Sequence, residues 1–451
     1  MAWLIQGGRV IDPAQDLDAP RDIVIEDGVI SALYEAGKTP KKVVAEPIDA
    51  TGLWVVPGLV DIHVHLREPG YEYKETIESG SRAAVVGGFT SVACMANTNP
   101  VNDNAAVTQY MLERAAEVGL ARVFPIGAVS KGLKGEELAE IGEMQRAGIV
   151  AVSDDGMPIM DGGLMRRALE YAAMFNLTVI VHEEDKHIAC DGVMHEGNTS
   201  FRLGLRGIPA AAEEAMIARD IALLERTGGR LHVAHISTAG GVELVRRAKE
   251  RGLPVTAEAT PHHFTLTDAA VEGYNTNAKM NPPLRESRDV EAVCGALADG
   301  TIEIIATDHA PHHRDEKEVE FDRALNGIIG LETAVGLSLA MAEKTGMSPL
   351  KLVAALSTNP AKVINQPLGT LRPGAVADVA LIDPNLAWRV DPAALQSRSR
   401  NTPWGGSELR GRCVLTMVDG EVVWSLAAGF RDPAGAQAAF PRTIGRSKLN
   451  A

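Results

Sequence analysis

Aromatic residues are scarce in this chain, at 4% of 451 residues. A core built almost without them must rest on Ala, Val, Leu and Ile, within a hydrophobic content of 45%. Cysteine is scarcer still. Cys94, Cys190, Cys294 and Cys413 lie far apart and form no CxxC pair. A disulfide framework and a structural zinc knuckle are therefore not expected, and a reducing cytoplasm is the expected location. No run of about 18 apolar residues occurs, so no membrane span is expected. The opening MAWLIQGGRVID has no basic region followed by a long apolar stretch and does not read as a secretory signal. Positive charge is in deficit, with 44 Lys+Arg against 59 Asp+Glu and a net charge of −15. Such a surface repels a phosphate backbone, which argues against nucleic acid as a partner. A local pocket on an acidic protein can still be basic. Charged residues at 23% match ordinary globular usage and exclude a disordered chain. The length allows roughly three domains of about 150 residues, or one (β/α)8 barrel of about 250 with an accessory domain.

Both ends of the chain read as short strands. Trp3–Ile11, Asp22–Ile25 and Val29–Leu33 open it, with a tight turn at Glu26-Asp27-Gly28. Val379–Asp383, Val414–Val418 and Val422–Trp424 close it, the last two joined by Asp419-Gly420. Two β-rich ends around a long middle predict one small β domain built from both termini. The middle alternates apolar runs with amphipathic stretches. Strands are expected at Leu59–Val64, Thr90–Met95, Val123–Ala128, Ile149–Ser153, Thr178–His182, Leu231–Ile236, Val255–Thr260 and Ile302–Thr307. Helices are expected between them, as at Ser79–Val86, Ala105–Val118, Gly163–Phe175, Ala211–Glu225 and Val242–Arg251, with Pro349–Leu356 after them. Continuous hydrophobicity suits strands buried on both faces. Eight of them predict a TIM-type (β/α)8 barrel, with a doubly wound open sheet as the rival. The expected division is 1–56 with 366–430 as a composite β-sandwich domain, 57–365 as the barrel, and 431–451 as a partly ordered C-terminal extension.

Polar residues gather where these strands stop. The first ends in Asp61-Ile62-His63-Val64-His65, and strand alternation points His63 and His65 the same way. The fourth ends in Asp154-Asp155, the fifth at His182, the sixth at His235 and the eighth at Asp308-His309. Each residue alone is most simply a hydrogen-bonded strand end. Together they converge on one rim of a barrel, whereas an open sheet would part the first strand from the eighth. Four histidines and two aspartates form a metal set of the type Zn²⁺ prefers. Six are too many for one four-coordinate catalytic ion. They suit two ions about 3.5–4 Å apart that make hydroxide available and polarise a carbonyl, the chemistry of amide hydrolysis or its reversal. His63, His65 and Asp308 would hold one ion, His182 and His235 the other, with Asp155 between.

The segment Pro57-Gly58-Leu59-Val60-Asp61-Ile62-His63-Val64-His65 resembles the opening of the amidohydrolase superfamily. Leu66-Arg67-Glu68-Pro69-Gly70, Met95-Ala96-Asn97-Thr98, Lys279 to Arg285 and Ala306 to His312 narrow the resemblance to the dihydroorotase family of the bacterial, long-chain type. The likeness runs through essentially the whole chain, the split β domain included. It implies reversible cyclisation of N-carbamoyl-L-aspartate to L-dihydroorotate and water, in de novo pyrimidine biosynthesis. It implies two Zn²⁺ per subunit on His63, His65, Asp155, His182, His235 and Asp308, with Asp155 rather than Asp154 as the bridge. Arg67 would grip the substrate carboxylate with Asn97, joined by His65, Asn281 and His312, while Asn326-Gly327 would touch the ring through backbone. Asp308 would also carry the catalytic proton.

Hydantoinase-like and allantoinase-like relatives bridge their metals with a carboxylated lysine at the fourth-strand end. No lysine lies between Gly135 and Asp185, which speaks against another cyclic amidohydrolase. An inactive relative that scaffolds aspartate transcarbamoylase would have lost ligands, and here all six are present. A homo-oligomer is expected, and a complex with aspartate transcarbamoylase stays open. His262 and His263 read as pocket-lining or supporting residues, and His309 as packing beside Asp308. His187, His195, His232 and His313 have no evident partner. The charged stretch Pro311–Val319 reads as a loop near the mouth and a candidate lid.

Overall fold

A computed structural model describes residues 2–431, so the expected extension at 431–451 lies, apart from its first residue, outside the described residues. Hydrogen bonding joins nine strands from both ends into one sheet. In spatial order these are Gly429–Phe430, Glu421–Ser425, Glu408–Val418, Val379–Arg389, Trp54–Pro57, Trp3–Asp12, Leu17–Glu26 and Val29–Glu35, with Glu46–Asp49 also pairing with Trp3–Asp12. The join between the two ends is the antiparallel pairing of Val379–Ile382 with Trp54–Pro57. Bulges between Ile5 and Gly8 and between Asp383 and Ala387 interrupt the ladder and bend the strands. Ile5, Ile23, Ile25 and Val55 share a core with Val379, Leu381, Val414 and Met417, so the two halves close into a β-sandwich.

Asp27 and Gly28 both have positive φ (50° and 80°), as do Asp419 and Gly420 (52° and 74°). That is the backbone of a type I′ turn, which Asp-Gly supplies at low cost. The two turns pack tip to tip. A Cβ on Gly420 would fall 2.7 Å from the Cα of Gly28.

The middle of the chain is a closed parallel barrel. Its eight strands are Leu59–Val64, Phe89–Cys94, Arg122–Pro125, Ala151–Ser153, Thr178–Val181, Arg230–Val233, Val255–Ala259 and Ile304–Ile305. The first three form one ladder and the last five another. Parallel bridges Gly127–Val152 and Val64–His309 seal the two seams. Asp61 reinforces the second seam, accepting from the backbone of His63 (3.1 Å) and of Thr307 (3.1 Å). The open-sheet alternative is thereby excluded. Val60, Ile62, Ala93, Met95, Ile126, Ile180, Ala234, Ile304 and Ala306 pack into one cluster drawn from strands around the barrel, without an aromatic among them. Burying each of the larger ones stabilises the fold by about 1.5–3 kcal/mol.

Several expected strands are shorter than hydrophobicity suggests, the third, fourth, sixth and eighth by two residues or more. In the third strand Pro125 has no N–H to donate to the fourth, and pairing past it is reduced to single bonds such as Ile126 N to Cys94 O (2.9 Å) and Gly127 N to Ala151 O (3.0 Å). The eighth ends at Ile305, because Asp308 takes φ 44°, which no ladder residue can hold. The helix beginning at Pro349 passes through a π turn at Ala354–Thr358 into Asn359–Val363.

One segment of the β domain reaches over the barrel. Between the strands Val379–Arg389 and Glu408–Val418, the amides of Gln396 and Ser397 donate to Glu332 Oε1 (2.6 and 3.3 Å). Desolvation pushes this carboxyl from 4.5 up to about 7. A raised carboxyl pKa means that the unfolded chain ionises first, so stability falls as pH rises from 4.5 to about 7 and is level above. Glu332→Gln removes this penalty. Its melting temperature is expected to match wild type near pH 4.5 and exceed it by pH 8, as read by a thermal-shift series; a constant difference across that range contradicts the assignment.

Candidate active site

The expected strand-end residues meet at the C-terminal rim of the barrel. His63, His65, Asp155, His182, His235 and Asp308 are all buried. Asp155 lies at the centre. Its Oδ1 is 3.3 Å from His63 Nε2, 3.4 Å from His235 Nε2 and 3.5 Å from His182 Nδ1, and its Oδ2 is 3.4 Å from His65 Nε2. Asp308 Oδ1 lies 3.0 Å from His65 Nε2 and 3.6 Å from His63 Nε2. Asp154 turns the other way and accepts from the amides of Val129 (2.7 Å) and Ser130 (3.1 Å).

Two groups of donor atoms lie within 4.8 Å of one another, namely His63, Asp155 and His235, and His63, His65 and Asp308. His182 joins through His235, 3.0 Å away. Burial alone would raise the pKa of Asp155, but His63, His182 and His235 overturn this and hold it well below the carboxylate range. Burial likewise opposes a charge on His63, and Asp155, Asp308 and Glu258 raise its pKa well above the ordinary value. Among the described residues the buried Nε2 of His63 has no hydrogen-bond partner, although it faces both aspartates. A sealed ring nitrogen facing two carboxylates, with a pKa raised by them, marks a place where a cation can replace a proton, and the nitrogen and oxygen donors are those of zinc and its neighbours.

Backbone strain marks the same place. Arg67, His235 and Asp308 have φ of 62°, 33° and 44°. Non-glycine residues held there cost about 1–3 kcal/mol each, offset by the packing that fixes them.

The supporting groups include two that the sequence did not reveal. Glu258, on the seventh strand, is fully buried and accepts from His63 Nδ1 at 2.6 Å through Oε1. Its Oε2 meets His232 Nε2 at 3.0 Å, and His232 Nδ1 meets Thr256 Oγ1 at 2.8 Å. A carboxylate on Nδ1 fixes the tautomer and leaves Nε2 to act as ligand. His232, without an evident partner in the sequence, thus completes a chain Thr256–His232–Glu258–His63. A glutamate inside an apolar strand was the one signal available. Asn97 Oδ1 does the same for His65 Nδ1 at 2.9 Å.

The other expected contact residues line the mouth. Desolvation lowers the pKa of Arg67, which donates through Nε to the carbonyl of Pro311 (3.2 Å) and pairs with no carboxylate among the described residues. Asn281 Nδ2 is 3.3 Å from His182 Nε2, and its buried Oδ1 has no partner among the described residues. His312 donates from Nε2 to the carbonyl of Asn326 at 2.8 Å, and burial pushes its pKa down to about 3. The Asn326 side chain is exposed. Gly327 uses its N–H on Lys279 O (3.0 Å), and its carbonyl accepts from Asn401 and Lys317. Its backbone is therefore committed within the protein. A Cβ there would fall 2.5 Å from Ala310 O, so glycine serves close packing.

His263 bonds Thr260 Oγ1 and Pro282 O, and His309 bonds Glu75, so both are held by protein groups. The loop at Pro311–Val319 is docked, with Lys317 Nζ donating to Leu325 O (2.7 Å) and Lys74 paired to Glu316 (2.9 Å).

A dihydro-orotase-like family model matches residues 52–240, and an amidohydrolase family model matches residues 321–424. The dihydroorotase of Syntrophotalea carbinolica is 57% identical over 427 residues, covering 95% of this chain and 100% of that protein. The dihydroorotase of Anaeromyxobacter dehalogenans is 58% identical over 421 residues, covering 93% and 97%. Among solved structures, an L-hydantoinase (dihydropyrimidinase) from Arthrobacter aurescens is similar with TM-score 0.83 at 27% identity, over 93% of this chain and 95% of that one. A D-hydantoinase (dihydropyrimidinase) from Thermus sp. gives 0.79 at 26%, again over 93% and 95%.

Loss of an outer carboxylate typically weakens metal binding about 10–100-fold. Glu258→Gln is expected to show a drop of that size in a chelator competition assay, with unchanged secondary structure by circular dichroism. Wild-type affinity would show that Glu258 does not orient His63.

Proposed function

The chain belongs to the dihydroorotase family, and from that membership we propose that it cyclises N-carbamoyl-L-aspartate reversibly to L-dihydroorotate and water, a step of pyrimidine biosynthesis. The observation that carries this reading is the single carboxylate of Asp155 in contact with four histidines, beside a desolvated arginine that has no carboxylate partner among the described residues. We further propose two Zn²⁺ ions as the resident metals. His63, His65 and Asp308 would hold one, His182 and His235 the other, and Asp155 would bridge them. When bound, such a pair supplies Lewis acidity to a carbonyl and lowers the pKa of water toward neutrality.

The protein's own groups do the rest. Arg67 can meet a substrate carboxylate with two parallel N–H bonds, and the substrate then supplies the anion that this desolvated guanidinium lacks. His312 is neutral at working pH, so it adds polarity to the mouth without a second fixed charge. The unpartnered Oδ1 of Asn281 is an acceptor for a substrate N–H. In the Asn326-Gly327 turn, only the Asn326 amide has no protein partner among the described residues, so any backbone contact to the ring falls to it. Gly327 keeps the turn close to His312.

Asp308 carries the proton. In hydrolysis its carboxylate takes a proton from the attacking water and returns it to the leaving ring nitrogen; in cyclisation the same steps run backwards. Its positive φ and its bond to His65 fix the carboxylate at the rim. On the side of dihydroorotate rather than hydantoin stands the fourth-strand end, which carries Asp155 and no lysine. The family reading puts the enzyme in the cytoplasm as a homo-oligomer; no helix among the described residues is long and apolar enough to cross a membrane.

Asp308→Asn is expected to fold and to bind metal, yet to lose turnover in both directions by at least a thousandfold in a spectrophotometric dihydroorotate assay. Substantial residual turnover sinks the proton-carrier role. Arg67→Lys keeps the charge but not the fork, and a KM increase of tenfold or more is expected. An Arg67→Lys enzyme with wild-type KM, or a wild-type enzyme that prefers hydantoin, contradicts the substrate assignment.

A further inference from the structure

We propose that Asn401 is a positioning residue for substrate binding, one that locks His312 and the Asn326-Gly327 turn into a single unit. The inference rests on the reading of those residues as the substrate-facing rim. Asn401 is 3% exposed. Its Oδ1 accepts from the backbone N–H of His312 at 3.1 Å. Its Nδ2 donates to Ala310 O and to Gly327 O, both at 2.9 Å. Its own carbonyl accepts from Ile329 N at 3.1 Å. One side-chain amide therefore spans two separate loops, the one leaving the eighth barrel strand and the one that carries Asn326-Gly327.

The chemistry of the side chain matters here. The three groups it serves are one N–H and two carbonyls, and a primary amide alone offers an acceptor with two donors in one plane. A carboxylate of the same shape would set an acceptor oxygen against two carbonyl oxygens. A methyl group would leave the His312 N–H and the Ala310 carbonyl without partners and leave Gly327 O with Lys317 alone, and native structures avoid such orphaned groups.

Asn401 also arrives from elsewhere in the fold. It sits between strands Val379–Arg389 and Glu408–Val418 of the β-sandwich, and the preceding residues are pinned on the barrel. The amide of Arg398 donates to Glu75 Oε1 at 2.9 Å, Ser397 Oγ donates to Glu75 Oε2, and Ser399 Oγ donates to Lys74 O at 2.7 Å. Glu75 also takes His309 Nε2 at 3.2 Å, beside Asp308. The β-sandwich thus supplies a strap whose last footing is the pair of loops that would face the substrate.

A residue that merely stabilised the fold would lower the melting temperature and leave KM alone. The test is a double-mutant cycle on metal-loaded enzyme with Asn401→Ala, His312→Ala and the double variant. Asn401→Ala is expected to raise KM for dihydroorotate tenfold or more, to change kcat less than threefold, and to keep wild-type metal content. In the His312→Ala background the further KM effect is expected to fall below twofold. Asn401→Asp, which leaves no cavity, is expected to behave as Asn401→Ala does. An unchanged KM, or an equal KM effect in both backgrounds, overturns the proposal. A His312→Ala enzyme with wild-type KM sinks the reading of the rim, and this inference with it. Should the Asn401 variants fail to fold, hydrogen exchange on the wild-type enzyme decides. Saturating dihydroorotate is expected to protect peptides around 310–328 and 396–402 together, and protection of the first without the second overturns the coupling.

Discussion

Everything at the mouth of the barrel depends on the Asp155 carboxylate being held ionised, out of water, against four imidazoles. A buried anion surrounded by nitrogen lone pairs is costly unless positive charge is shared among them, as protons or as metal. The fold makes that arrangement possible by closure. The first strand brings His63 and His65, and the eighth must return beside it to bring Asp308. Asp61 and the Val64–His309 bridge hold these two strands together, so the seam that closes the barrel also assembles the site. An open sheet with the same strands would bury the same apolar area and have no such centre.

A good part of this was legible in the sequence. Eight apolar runs carry the barrel, and the five of them that end in His or Asp carry the six clustered residues, because strand alternation and strand direction are local properties. The Asp-Gly turns of the β-sandwich were equally plain, since their positive φ values demand those residues. Glu258 and His232 were not legible as partners of His63. Each lies on its own strand, and their meeting is a consequence of barrel curvature that spacing does not encode. Asn401 was hidden for the same reason more strongly, being a polar loop residue of one domain that acts on loops of the other. The eighth strand was read too long, because hydrophobicity continues to Ala306 while the strained Asp308 ends the ladder.

The structural likeness to hydantoinases and the sequence identity to dihydroorotases are compatible, because a shared barrel does not fix the substrate. What differs is carried by a few side chains. On the proposed reading, Asp155 as the bridge makes a carboxylated lysine unnecessary, and Arg67, with no carboxylate partner among the described residues, would give the mouth a preference for an anionic substrate. On that reading the net charge of −15 does not oppose an anionic substrate, because recognition would rest on the short-range pairing with Arg67 rather than on overall charge.

The most direct measurement is elemental analysis of purified wild-type and Asp155→Ala protein, taken with dihydroorotate turnover in both directions. The account predicts two equivalents of metal per wild-type chain, and in Asp155→Ala the loss of at least one equivalent together with turnover. Full activity of the variant, or of a wild-type enzyme stripped of metal, would contradict it.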